Sequence, residues 1–382
     1  MTEAKNNEKT LEKKRERNYG IDLLRILSMF MVTLLHFCGY SGIGETADTG
    51  IPFYVSSVFY VICYGAVNIF GLISGYVMYG SKIKYTRIVG LWFQVVFYSA
   101  AMSVAEKLIF GAYFNIYSIV MPVTFSEFWY FQAYFLMFFF IPLYNELVNK
   151  FSNRNILKFI CIGILVFCLL SNFMKMSGKD ILGLRNGYSF LWISFCYITG
   201  AFIQKNKDSF LKISNRICWL VICISELINY LSYVLLFNVS APNSLHIVPK
   251  NIFVTYTSVT VFIPAICILL IFSRIKVSRG KRVVKFFSLT AFSVYIIQIH
   301  SLIWNHYIVP YHTFFKDMNQ WTSIPLLLAG VVVLYLAATV VDYLRIQIFR
   351  LLHIDTLSKL ICKLLEKIIN VAKKPLKKFI QG

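Results

Sequence analysis

Long apolar runs, each near the length a helix needs to cross a bilayer, follow one another along this chain with short basic interruptions. Roughly 20 mostly apolar residues cover the hydrocarbon layer as a helix. By that measure the chain predicts ten spans, over 21–40, 54–79, 87–111, 126–147, 155–174, 188–203, 217–237, 251–272, 286–305 and 323–344. The sixth is the shortest, and the long gaps at 41–53 and 306–322 are poor in charge.

Composition agrees with a lipid solvent. The 382 residues are 58% hydrophobic and only 14% charged, against roughly a quarter charged in soluble domains. The formal charge of +21 brings nucleic acid to mind, but cations that interrupt apolar runs fit a cytoplasmic leaflet of anionic lipid better than a phosphate backbone. With the N-terminus inside, one side receives Lys5, Lys9, Lys13, Lys14, Arg15 and Arg17, then Lys82, Lys84 and Arg87, and then the basic loops near 150–158, 205–216 and 274–285. The other side holds only Lys107, Lys175, Lys179, Arg185, Lys250 and Lys316. Ten spans and an N-in, C-in topology therefore support each other. The expected architecture is an all-α, polytopic integral membrane protein of the plasma membrane. It comprises a basic cytoplasmic tail (1–19), a membrane domain (20–345) and a basic C-terminal segment (346–382).

The charged start followed by an apolar run resembles a signal peptide, but no small-residue cleavage site follows and the run contains Asp22, Arg25 and His36. The expectation is an uncleaved first helix. The nine cysteines show neither CxxC nor Cys/His ligand spacing, so neither a metal site nor a disulfide framework is expected. In the last segment Leu357, Leu360, Ile361, Leu364, Leu365, Ile368 and Ile369 recur at helical spacing, with Lys359, Lys363, Lys367 and Lys374 off that stripe. This predicts an amphipathic helix resting on the inner membrane surface.

Ionisable groups inside a span are costly and call for a functional reading. The first span carries Asp22, Arg25 and His36. Arg25 and His36 are eleven residues apart, about three turns, so both project from one face about 16 Å apart along the axis. Asp22 lies one turn before Arg25, within reach of an ion pair. The structural alternative is that Asp22 and Arg25 snorkel at the interface while His36 bonds a neighbouring helix. His300 ends the run SLTAFSVYIIQIH, behind Ser293, Tyr295 and Gln298, which must face the bundle or water. Glu226, one turn from Asn229, is either an intramembrane acid or polar glue. Glu127 and Trp129 open the fourth span, where an aromatic belt is the simplest expectation. Lys84 and Arg87 are ordinary positive-inside residues unless they grip a phosphorylated ligand, which the planar fork of arginine suits.

Four segments in order resemble the membrane-bound acyltransferase-3 family: D-x-L-R with the R-x10-H pairing (Asp22, Arg25, His36), GAVNIFGLISGYVM (65–78), FWY (128–130) and the late run from Ser288 or Ser293 through Tyr295 to His300. The resemblance spans about 20–345. It departs after the second span, where Lys84-x-x-Arg87 is followed by Ile88 and Val89 in place of the usual paired arginines, isoleucine and proline.

The resemblance implies a membrane O-acyltransferase that uses acyl-CoA, usually acetyl-CoA, as donor substrate, with no bound cofactor. The acceptor is a hydroxyl of a cell-surface or lipid-linked glycan. Arg25, Lys84 and Arg87 would meet the donor's phosphates, and His36, with Asp22 orienting Arg25, would act as general base or acyl carrier. Glu127, Trp129, Tyr295 and His300 would shape the acceptor side. No fused extracytoplasmic esterase-like domain is visible, so the membrane domain acts alone or with a separate partner. A transporter or flippase would share the buried ionisable groups, but paired Gly/Pro-interrupted spans in corresponding halves are missing. A purely structural subunit is the third reading.

Overall fold

The computed structural model describes residues 16–40, 51–113, 115–176, 178–239, 252–314, 318 and 320–381, all in helices and their connections. The main helices are α1 (Tyr19–Tyr40), α2 (Ile51–Cys63), α3 (Ala66–Met78), α4 (Thr86–Phe110), α5 (Trp129–Lys150), α6 (Asn153–Gly163), α7 (Phe190–Lys205), α8 (Asn215–Val239), α9 (Val259–Ser273), α10 (Lys281–Ile299), α11 (Gln320–Leu351) and α12 (Ile354–Gln381). Helix α6 continues through a π-helical stretch, Ile164–Leu170, into Ser171–Met176.

Among the described residues eight helices are long and apolar enough to cross a membrane. They answer to eight of the ten expected spans, with α2 and α3 forming one apolar stretch broken at Tyr64 and Gly65. The other two expected spans are shorter. Helix α7 has 16 residues, almost all buried among neighbours, and α9 has 15. The span expected from 251 begins only at Val259, because the hydroxyls of Thr255, Thr257 and Ser258 bond to one another and to Lys175 Nζ (3.0 Å to Thr255 and 3.2 Å to Thr257) and hold 252–258 as an irregular loop. Such backbone is tolerated at membrane depth only when it is buried in protein or lines a cavity, and this loop does both. The fourth span starts at Trp129 rather than 126, since Phe128 is non-helical. The ninth ends at Ile299, where His300 turns extended (φ −59°, ψ 139°) and its ring Nδ1 caps the next turn through Leu302 N–H. Helix α11 runs past the expected domain limit at 345 to Leu351, and α12 starts after His353, which has positive φ.

Three local features fix the centre of the bundle. Asn18 Oδ1 accepts from Gly20 N–H (2.9 Å) and Asn18 Nδ2 donates to Ser273 O (2.8 Å), pinning the start of α1 to the end of α9. Helices α3 and α7 touch backbone to backbone: a Cβ on Gly75 would collide with Tyr197 O, and one on Gly200 with Leu72 O. Gly71 and Gly75 thus form a small-xxx-small seam. The close approach lets the fully buried Asn68 accept from Trp192 Nε1 (2.8 Å) and donate to Tyr256 O (2.8 Å), so α3 and α7 together hold the 252–258 loop. Gly75→Val is accordingly expected to lower the melting temperature of the detergent-extracted protein or abolish its folded peak in size-exclusion chromatography. A folded, equally stable variant would refute the seam.

The third feature was not legible in the chain. Asp342 on α11 is fully buried and accepts from Arg345 (2.7 Å), from Tyr98 O–H (2.8 Å) and from Ser293, which itself accepts from Gln94. This network ties α4, α10 and α11 together. On α8 the buried Asn229 donates to Thr260 O (3.1 Å) and lies 3.5 Å from the Glu226 carboxylate, which lines none of the three cavities described below.

Candidate active site

The first turn of α1 places Asp22 where a helix N-terminus favours an anion. Its buried carboxylate takes two bonds from Arg17 (Nε 2.5 Å and Nη2 3.0 Å), one from Arg25 Nη1 (3.0 Å) and one from Ser288 Oγ (2.9 Å). Arg25 Nη1 also donates to Ser288 (2.9 Å). Arg17 was counted as part of the basic tail, yet it gives Asp22 the fork that leaves the rest of the Arg25 guanidinium facing open space.

That space is a cavity of about 260 Å³ lined by Arg25, Arg87, Tyr130, Tyr134, Ser288 and, farther along α1, His36. The two groups that share a face by their spacing therefore share a cavity. Arg87 lines it as well, whereas Lys84 is exposed and does not. Tyr295 is also on this wall, its hydroxyl accepting from Tyr130 N–H (3.0 Å), so it borders the arginines rather than the opposite side alone.

A second cavity, about 460 Å³, meets the first at His36, Trp129 and Tyr256, which line both. Its walls are aromatic: Tyr188 lies 4.5 Å from Trp129 and 4.9 Å from Tyr256 between ring centroids, Tyr64 lies 4.8 Å from Tyr256, and Trp304 meets the His36 ring edge-on at 5.1 Å. Glu127 is its carboxylate. His36 Nδ1 is buried with no hydrogen-bond partner among the described residues, which leaves that nitrogen free for a proton.

His300 does not join His36. It faces a third cavity of about 470 Å³ with Ser99, Ser103, Glu106 and Ser301, and Glu127 stands between this cavity and the aromatic one. His300 Nε2 is 3.2 Å from Ser103 Oγ. Ser301 Oγ donates to Glu106 (2.5 Å), and His306 Nε2 lies 3.3 Å from its other oxygen. Burial, and secondarily the nearby Glu106, lifts the Glu127 carboxyl above the usual carboxylate range. Glu106 was missed because it sits beside Lys107 at a helix end. The spacing Ser99, Ser103, Glu106 (i, i+4, i+7), a polar stripe along an otherwise apolar helix, would have found it. Tyr256 had no comparable pattern, since only Asn68 and the Thr/Ser loop bring it to the junction.

An imidazole deep among membrane-length helices, open to one cavity with guanidinium groups and to another with a carboxylate, suits a membrane-embedded enzyme that passes a group between two ligands. Residues 18–343 match the family model Acyl_transf_3, described as an acyltransferase domain, so the chain belongs to the membrane acyltransferase-3 family and is an acyltransferase. No curated protein and no solved structure matches it.

Proposed function

We propose that this acyltransferase moves an acyl group, acetyl in the first instance, from cytoplasmic acyl-CoA to a hydroxyl of a cell-surface or lipid-linked glycan. The observation that carries the reading is that His36 walls both the arginine cavity and the aromatic cavity. The donor's phosphates meet Arg25 and Arg87, for which charge-assisted forks are suited, and the thioester reaches up to His36. The acceptor hydroxyl enters from the aromatic cavity, past Glu127 and Trp129. His36 takes the hydroxyl proton as the oxygen attacks the thioester carbonyl. The C–O bond forms, the C–S bond breaks, and the proton passes to the departing thiolate, leaving free CoA and an ester. Lys84, exposed and off the cavity, is left to attract the donor electrostatically.

The same reading places ten helices across the plasma membrane with both termini inside, on the strength of the basic residues gathered on one side. Helix α12 then lies on the inner surface, its leucines and isoleucines exposed along one stripe and its lysines beside them. A separate extracytoplasmic transferase could complete delivery to the final polymer. The test uses the full chain in sealed vesicles with acetyl-CoA labelled in the acetyl group and membrane glycan from cells lacking the protein. Label must appear as alkali-labile ester on saccharide. Label that stays on CoA, or appears only as free acetate with acceptor present, would defeat the reading.

A further inference from the structure

We infer that the third, polar cavity is an extension of the acceptor site, shaped for the neighbouring unit of a saccharide chain, so that this transferase acts on acceptors at least two sugar units long. The inference rests on the functional reading above. Its first support is adjacency. Glu127 lines both the aromatic and the polar cavity, so the two adjoin at that carboxylate, and the polar cavity with Glu106 is the neighbouring space for a ligand whose reacting hydroxyl sits at His36. Each of the two cavities, about 460 and 470 Å³, is within the range of roughly 300–1,000 Å³ that holds a small-molecule ligand.

The chemistry of the walls divides the two. The aromatic cavity offers ring faces, against which the C–H face of a sugar packs. The polar cavity offers hydroxyl, amide and carboxyl groups, the set that pairs with sugar hydroxyls as both donor and acceptor. Three of its groups are prepared for a ligand. Ser99 is buried (4% exposed) and its hydroxyl has no partner among the described residues. His300 Nδ1 accepts from Leu302 N–H (3.2 Å), which in the neutral ring puts the proton on Nε2, aimed at Ser103 Oγ. Ser103 then has its own hydroxyl hydrogen to give. Glu106 is held in place by Ser301 and His306, one on each oxygen, so each oxygen keeps a lone pair for a further donor such as a sugar hydroxyl. An acyl chain would offer none of these groups a partner.

The experiment compares acceptor lengths. Surface glycan from cells lacking the protein is partially hydrolysed and separated into single-sugar and four-sugar fractions. Each is then offered with labelled acetyl-CoA to the purified full chain in lipid nanodiscs. In the parent, kcat/KM for the longer fraction is expected to exceed that for the single sugar by at least about tenfold, the worth of one or two good hydrogen bonds. Glu106→Gln with Asn305→Ala brings that ratio toward one, and so does Ser118→Trp, which fills the cavity from its rim without touching the Glu106 bonds. Equal transfer to both lengths by the parent overturns the inference while leaving the transferase reading intact. So does a length preference that survives both variants at normal folded yield. No transfer to either fraction, with intact donor, removes the transferase reading and this inference with it.

Discussion

His36→Ala is expected to lower acyl transfer by about 10²–10⁴-fold, the usual contribution of a positioned general base, with little change in the amount of folded protein. His36 is half-buried, its Nδ1 has no partner among the described residues, and its ring touches Trp304 through an edge contact. Its removal opens a little space between two cavities and gives up a single interaction across helices, with Gln298 on α10. A purely structural histidine would behave in the opposite way, losing yield and stability while the surviving protein kept its activity. Quantifying O-acetyl groups on surface glycans by proton NMR, together with initial rates on labelled acetyl-CoA at matched protein levels, separates the two outcomes. Transfer within threefold of the parent would remove His36 from the mechanism.

The second large effect concerns the donor. Arg25→Ala should raise the KM for acetyl-CoA by about ten- to hundredfold, as expected for losing one charge-assisted contact. The variant should still fold, because Arg17 continues to neutralise Asp22 through two bonds. Asp22→Ala is the contrasting case. It leaves Arg17 and Arg25, both only partly buried, without their shared counter-charge and removes the acceptor that also holds Ser288, so its main signature is lost thermal stability and lost protein. Melting curves in the presence and absence of CoA resolve the pair. The parent is stabilised by CoA and Arg25→Ala is not, although its unliganded melting temperature is close to normal. An Arg25→Ala protein still stabilised by CoA to the parental extent would place the phosphates elsewhere.

Much of this molecule could be read directly from the chain. Apolar runs of membrane length must become helices, because no other open structure satisfies the backbone in lipid, and the runs sit where eight such helices are found. The Asp22, Arg25 and His36 spacing forces the latter two onto one face by helix geometry alone, and that face lines the arginine cavity. The family was legible too, in segments whose order follows the helices.

What escaped the sequence were contacts between segments distant in the chain. The expected span from 251 read as apolar, yet Lys175 from another helix holds its threonines and keeps it a loop. His300 looked like a companion for His36, but the break after Ile299 turns it to cap Leu302 and face Ser103. Arg17 looked like one tail cation among several until the fold brought it to Asp22. The sequence by itself determined the helices and the charged face of α1, since periodicity and residue chemistry are local properties, and the kind of enzyme was legible only through its resemblance to a known family. The tertiary structure alone decided that His36 stands between two cavities, that Tyr256 shares that wall and that a third cavity adjoins the second at Glu127, because each of those facts depends on helices far apart in the chain packing side by side.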